Sequence, residues 1–250
     1  MDSGSSVDAG ADVIADSARA DVGPADVEAD EPSAPTSWCA LHAPTYTIDC
    51  HDFDESLDAS GGFSSHYTTA AGDFSRVTSA DYAPGSAPNS LLFSTPTVDT
   101  GSTTFDQFND FLSYHGKLEI SFSVKITNYD VNVGLLSLFI VSYQNGDWSE
   151  GIYIQGSTTT LVEVVSSVRT IHSVSSIPIN TWVHVDLTID LNAHTQIFTY
   201  NNVSALSNNA TINPTESSPK LLVQAGLNYI AGPAKPMQIY WDDMLVDTPP

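Results

Sequence analysis

Asp186 and Asp190, with Glu119 further up the chain, are the carboxylates whose spacing best suits paired work. Glycoside hydrolysis needs two carboxyl groups roughly 5–9.5 Å apart across a sugar bond, and strand residues i and i+2 share a face about 7 Å apart. A polysaccharide lyase would instead need a His/Tyr pair and a cation to neutralise a uronate. His184, His172, Tyr143 and Tyr153 supply the first, but Arg169 is the single base on a strand beside them. No G-x-S-x-G motif, assignable Ser-His-Asp order or Gly-rich phosphate loop is present. The residues therefore favour a non-catalytic protein over a lyase or a glycosidase.

Two other groupings point to binding. Asp52 and Asp54 sit near the start of the body, and Asp242 and Asp243 near its end. Calcium takes carboxylate and carbonyl oxygens from loops and strand ends, so these four are the candidate ligands of a structural Ca2+, with turn-capping as their plainer use. Trp148 follows the Asn145-Gly146-Asp147 turn and lies between Tyr143 and Tyr153. An aromatic cluster with polar neighbours is the usual platform for a sugar ring. The competing reading folds Trp148 back as a lid on the core. Trp182 and Trp241 read as structural.

The elements that must position these residues are strands. In Trp182–Asp190 the apolar Val183, Val185, Leu187 and Ile189 alternate with His184, Asp186, Thr188 and Asp190. That period of two marks a strand with one face buried and one wet. Gln196–Asn202 reads as its hairpin partner. Leu118, Ile120, Phe122, Val124 and Ile126 alternate in the same way, and the mostly apolar Leu135–Tyr143 suits a central strand. Further strand candidates are Gly151–Gln155, Thr160–Val165, Val168–Val174, Lys220–Gly226 and Pro236–Val246. Thr104–Tyr114, with Phe105, Phe108, Phe111 and Leu112 at helical spacing, reads as a short helical or irregular crossing. About a dozen short strands divided by turn residues predict an antiparallel β-sandwich.

Composition sets the partners. The chain carries 30 acids against 7 bases, a net charge of −23. Nucleic acid and anionic membranes need Lys and Arg to displace counterions, so both are excluded as partners. Neutral glycans, cations and another surface protein remain. No apolar run approaches the roughly 20 residues of a membrane helix. Residues 1–37 are rich in Asp, Ala, Ser and Pro, with a recurring Ala-Asp, and read as a disordered acidic tether to a domain at 38–250. Cys39 and Cys50, 11 residues apart without zinc spacing, read as one local disulfide and an oxidising compartment.

The order of motifs resembles known proteins. Trp182-Val183-His184-Val185 followed by Tyr200-Asn201-Asn202 is similar to the W-x-H-V … Y-x-N-G hairpin of laminin-G-like, concanavalin A-like jelly rolls. Cys39 with Ile48-Asp49-Cys50-His51-Asp52-Phe53-Asp54, Pro88-Asn89-Ser90-Leu91, and Ile239-Tyr240-Trp241-Asp242-Asp243 resemble the opening, early and closing strands of a jelly-roll family in myxobacterial-type surface lipoproteins. Asn201-Asn202 replaces the usual Asn-Gly, and Cys-His-Asp replaces Cys-Asp-Asp. The dense Glu-x-Asp-x-x-Glu of laminarinase-like jelly rolls is absent. The resemblance implies an all-β jelly roll at the cell surface or outside the cell, a lipid anchor in the precursor, and terminal strands side by side, which would bring Asp52, Asp54, Asp242 and Asp243 together. The expected role is carbohydrate binding or adhesion. The alternatives are a polysaccharide-active enzyme and a self-assembling surface subunit.

Overall fold

The computed structural model describes residues 37–42, 47–54, 65–69, 75–95, 103–110, 116–128, 136–143, 148–155, 158–190, 192–209, 221–230 and 236–249. Thr36–Pro250 forms one compact unit. The expected tether, apart from Ser37, lies outside the described residues.

The elements in chain order are α1 (Trp38–His42), β1 (Thr47–His51), β2 (Ser65–Thr69), β3 (Ser75–Ser79), β4 (Ser90–Thr95), β5 (Thr103–Asp110), β6 (Lys117–Asn128), β7 (Leu136–Tyr143), β8 (Trp148–Gln155), β9 (Thr158–Val165), β10 (Val168–Val174), β11 (Val183–Asp190), β12 (Thr195–Tyr200), β13 (Val203–Asn209), β14 (Leu221–Ile230) and β15 (Met237–Asp247). One sheet runs β13-β12-β11-β6-β15-β4-β3, with β1 also paired to β15. The other runs β10-β9-β8-β7-β14-β5-β2. Every strand pairing is antiparallel.

The alternation seen in the sequence becomes the division between core and surface. Val183, Val185, Leu187 and Ile189 of β11 are buried, and so are Leu118, Ile120, Phe122, Val124 and Ile126 of β6. They meet Ile152, Ile154, Leu161 and Val223 of the opposite sheet in one apolar cluster. Phe122 and Trp241 pack with ring centroids 4.5 Å apart in that cluster. Burying this apolar area is the main term holding the sheets together.

Thr104–Tyr114 departs from the expected helical crossing: Thr103–Asp110 is the strand β5, hydrogen-bonded to β14 on one side and β2 on the other. Apolar spacing of three fits a helix in isolation, but two flanking ladders decide the conformation here. Asn201 and Asn202 both take left-handed backbone conformations, with φ of 47° and 63°. That is the demand of a two-residue hairpin turn, and Asn meets it next best after Gly. The departure from Asn-Gly therefore preserves the β12–β13 hairpin.

Candidate functional site

The outward face of the β11–β6–β15 sheet collects the chemistry. His184 and Asp186 are i and i+2 on β11, so they share a face, and His184 Nε2 lies 3.2 Å from Asp186 Oδ1. Ser123 stands directly across the ladder from His184, with its Oγ 3.1 Å from His184 Nδ1. The same hydroxyl donates to Asp243 Oδ2 at 3.4 Å. Asp186 Oδ2 accepts from Thr199 Oγ1 at 2.7 Å. A polar relay thus runs Asp186–His184–Ser123–Asp243 across three strands.

The hydrogen bond that His184 donates to Asp186 raises the His184 pKa. Burial opposes the shift, and the charges of Asp186 and Asp243 add to it. Burial alone would raise Asp186, but hydrogen bonds from His184 and Thr199 and the His184 charge bring its net value down. For Asp243, burial is the largest influence and raises its value; hydrogen bonds from Ser86 and Ser123 and the His184 charge oppose it, and the charge of Asp52 adds to it. The relay does not amount to a nucleophilic triad: Ser123 lies within a regular stretch of strand and also donates to a second carboxylate.

Asp243 reaches this face through a break in the ladder. The register of β15 against β6 shifts between Asp242 and Leu245, and Asp243 sits in the left-handed region with φ of 50°. Bulges commonly re-aim a side chain beside a site, and Asp tolerates this conformation better than most residues. Asp243 is 4 % exposed, and its Oδ1 is closed off from solvent. It lines a recess of about 270 Å³ with Trp38, Pro84, Ser123, Trp182, His184 and Asn201.

Both tryptophans of the recess are held in place. Trp182 Nε1 donates to Asp81 Oδ1 at 3.2 Å. The Lys125 ammonium lies 5.3 Å from the Trp182 ring centre and 4.7 Å from that of Tyr240, and it is ion-paired with Asp81. Trp38 stacks on His42 within α1 at 4.6 Å. The disulfide between Cys39 and Cys50 ties α1 to β1, and the Cys39 amide donates to Asp52 Oδ2 at 2.8 Å. Asn201 Oδ1 accepts from the His184 amide at 3.0 Å, which fixes the far wall.

The four aspartates expected to bind calcium lie around the pairing of β1 with β15. Asp52 also accepts from the Asp54 amide at 3.3 Å. Asp54 accepts from the Asn89 amide at 3.0 Å. Asp242 accepts from the Ala83 amide at 2.8 Å, the Ser86 hydroxyl at 3.3 Å and the Asp243 amide at 3.0 Å. Among the described residues no three His, Cys, Asp or Glu side chains are grouped to hold a metal ion. As arranged, these carboxylates accept hydrogen bonds that hold the Ala83–Ser86 loop and α1 against the sheet.

Trp148 takes the alternative place that its sequence allowed, as a lid on the core. Trp148 is buried in the core, 3 % exposed, with Nε1 donating to Glu163 Oε1 at 3.2 Å. Tyr153 is half-buried on the opposite face of β8, because the five-residue spacing inverts the side-chain direction. The Tyr143 side chain lies outside the described residues. Core packing claims Trp148, and the tryptophans that line the recess are the half-buried Trp182 and Trp38. The only sequence signal for Trp182 is its place on the wet side of the β11 alternation. Trp38 gives no signal beyond its neighbour Cys39.

No family model matches the sequence, and no curated protein matches it. Solved structures do match in fold. The endo-β-1,4-glucuronan lyase of the fungus Trichoderma reesei aligns with a TM-score of 0.60 at 12 % identity, over 81 % of this chain and 96 % of that one. The cellulose-induced protein Cip1 aligns at 0.58 and 12 %, over 80 % and 97 %. A mutant alginate lyase, Aly36B, in complex with an alginate trisaccharide aligns at 0.53 and 11 %, over 74 % and 99 %. At these identities the likeness shows the fold alone: this chain is an antiparallel β-sandwich of the concanavalin A-like jelly-roll kind.

Proposed function

We propose that the chain is a non-catalytic glycan-binding module that works outside the cell or on its surface and seats a sugar ring in the recess between Trp38 and Trp182. The observation that carries this reading is the recess itself, lined by two tryptophans together with the polar Ser123, His184, Asn201 and Asp243. Aromatic faces stack on the apolar face of a sugar, and buried polar groups fix its hydroxyls. The fold supports a carbohydrate role, since two of the aligned structures are named as polysaccharide lyases. We place the domain on a surface tether formed by residues 1–37, with a lipid anchor in the precursor.

The second reading, a polysaccharide lyase, is favoured by those same two structures. His184 would be its base. The acids around His184 weigh against a uronate substrate, because like charges in a partly desolvated site repel strongly.

A glycan array with the intact domain tests the first reading. Trp38→Ala should weaken binding roughly threefold to tenfold while the melting temperature holds. No binding to any glycan would sink the reading. A rise in ultraviolet absorbance from unsaturated uronate on alginate or glucuronan would establish the lyase in its place.

A further inference from the structure

Two glutamates lie inside the sandwich, away from the recess. Glu150 on β8 and Glu163 on β9 are direct cross-strand partners, and each is 1 % exposed. Trp148 and Ile152 stand two positions either side of Glu150, and Leu161 two positions before Glu163. All three belong to the apolar core cluster, so alternation turns both carboxyl groups inward. Opposed side chains on neighbouring strands start with Cβ atoms about 5 Å apart. Trp148 Nε1 donates to Glu163 Oε1 at 3.2 Å, which aims an indole at the pair.

Charge of the opposite sign is sparse on these strands. From β7 to β12 the one Lys or Arg on a strand is Arg169, which pairs with Val164 and projects to the other face of the sheet. Thr170 stands opposite Glu163, and His172 lies two positions further along that face of β10. On the other flank Val141 of β7 stands opposite Glu150. From the facing sheet Tyr200 packs on the cluster and donates its hydroxyl to Ser176 O at 3.1 Å. Burial pushes the Glu150 carboxyl well above the usual carboxylate range, and the Glu163 charge adds to that. Two like carboxylates out of water ionise together only at a large cost, and one shared proton removes it.

The pair also lies at the free end of its sheet, where β10 is the terminal strand beyond β9 and β8. Local opening starts where few neighbours hold a strand.

We propose that Glu150 and Glu163 share one proton that latches the β8–β9–β10 end of the sheet, and that this end opens as rising pH removes the proton. On opening, water reaches Glu150, its proton passes to solvent, and two hydrated carboxylates remain. The stabilisation is full below the unfolded value of about 4.3 and is lost as pH rises through the folded one. Within that window opening should gain up to about tenfold per pH unit.

Hydrogen exchange read by mass spectrometry tests this on the intact protein, wild type against Glu150→Gln at matched pH over a series of values. Matching the pH cancels the base catalysis of exchange itself. In peptides from β8 to β10 the ratio of wild-type to variant exchange should climb with pH, by up to about tenfold per unit. These peptides should also exchange ahead of β11. A flat ratio would overturn the shared proton. Equal protection of β8–β10 and β11 would tie the proton to global unfolding and overturn the latch. His172→Gln should leave the climb intact, and its loss there would move the proton to the imidazole and overturn the assignment. Should Glu150→Gln fail to fold, Glu163→Gln must end the climb at a lower pH than in the wild type, because the neighbouring charge is gone. An unchanged profile in that variant would overturn the pairing.

Discussion

Asp242 holds a carboxyl group that water does not reach: its side chain is 0 % exposed. Burial is the main reason that its pKa stands at about 8, against an ordinary 3.8; the Ala83 amide pulls it down and the charge of Asp243 pushes it up. A carboxyl raised on folding binds its proton more tightly in the folded state. Its stabilisation is therefore full below the unfolded value and is lost as pH rises through the folded one. The protein should lose stability between about pH 4 and about pH 8. Asp242→Asn should make that decline shallower, as measured by urea unfolding at a series of pH values. Equal slopes in the two proteins would show that the proton resides elsewhere. Asp242 and Asp243 are legible in the sequence as a pair near the end of the chain. Their different jobs are not, because those depend on a bulge that follows from the facing strand. The same limit hides the relay: His184 and Asp186 share a face by alternation alone, but Ser123 joins them only through the register of β6. Trp148 fails as a site because nothing local shows which face of β8 turns inward.

At the scale of elements, α1, β1 and β15 form the frame of the recess. The opening strand pairs with the closing one from Thr47 opposite Asp247 to His51 opposite Met244, and the disulfide carries α1 on that pair. Trp38 is one residue from Cys39, so the bond positions a wall of the recess. Replacing both cysteines with serine should lower stability by roughly 2–3 kcal/mol, the loop entropy of a short crosslink. The sandwich core does not include them, so the fold should persist while glycan affinity falls as far as in Trp38→Ala. Calorimetry with and without reductant checks this, and affinity unchanged on reduction would contradict it. Strands are the most legible level of the sequence. Val168–Val174 matches its expected span to the residue, and β11 nearly so. Period-two alternation sustained over seven or eight residues suits a half-buried strand and clashes with the 3.6-residue turn of a helix. β5 is less legible, since its phenylalanines fit two periods and only its neighbours choose.

For the whole molecule, charge and edge compete. The β10 edge exposes Val168 and Ile171, 68 % and 53 % accessible, and an open edge with apolar side chains invites pairing with another copy. A net charge of −23 opposes that approach. Screening shortens the repulsion from a Debye length of about 8 Å at 0.15 M salt to about 3 Å at 1 M. Sedimentation equilibrium should therefore give a mass independent of concentration at low salt and association at high salt, which Ile171→Lys suppresses. Association that weakens with salt would point to an electrostatic contact instead. The fold class is readable from composition and turns. The ligand class is only bounded, because net charge excludes partners without choosing one.

The strict alternation of β11 separates two kinds of selection on one strand. Val183, Val185, Leu187 and Ile189 answer to packing, while Trp182, His184, Asp186 and Thr188 lie on the face that answers to whatever rests on the sheet. Each set can drift without disturbing the other. An interleaved text of this kind lets a lineage keep its architecture while rewriting its surface. Sandwiches that share only 11–12 % of their residues with this chain can thus share its fold.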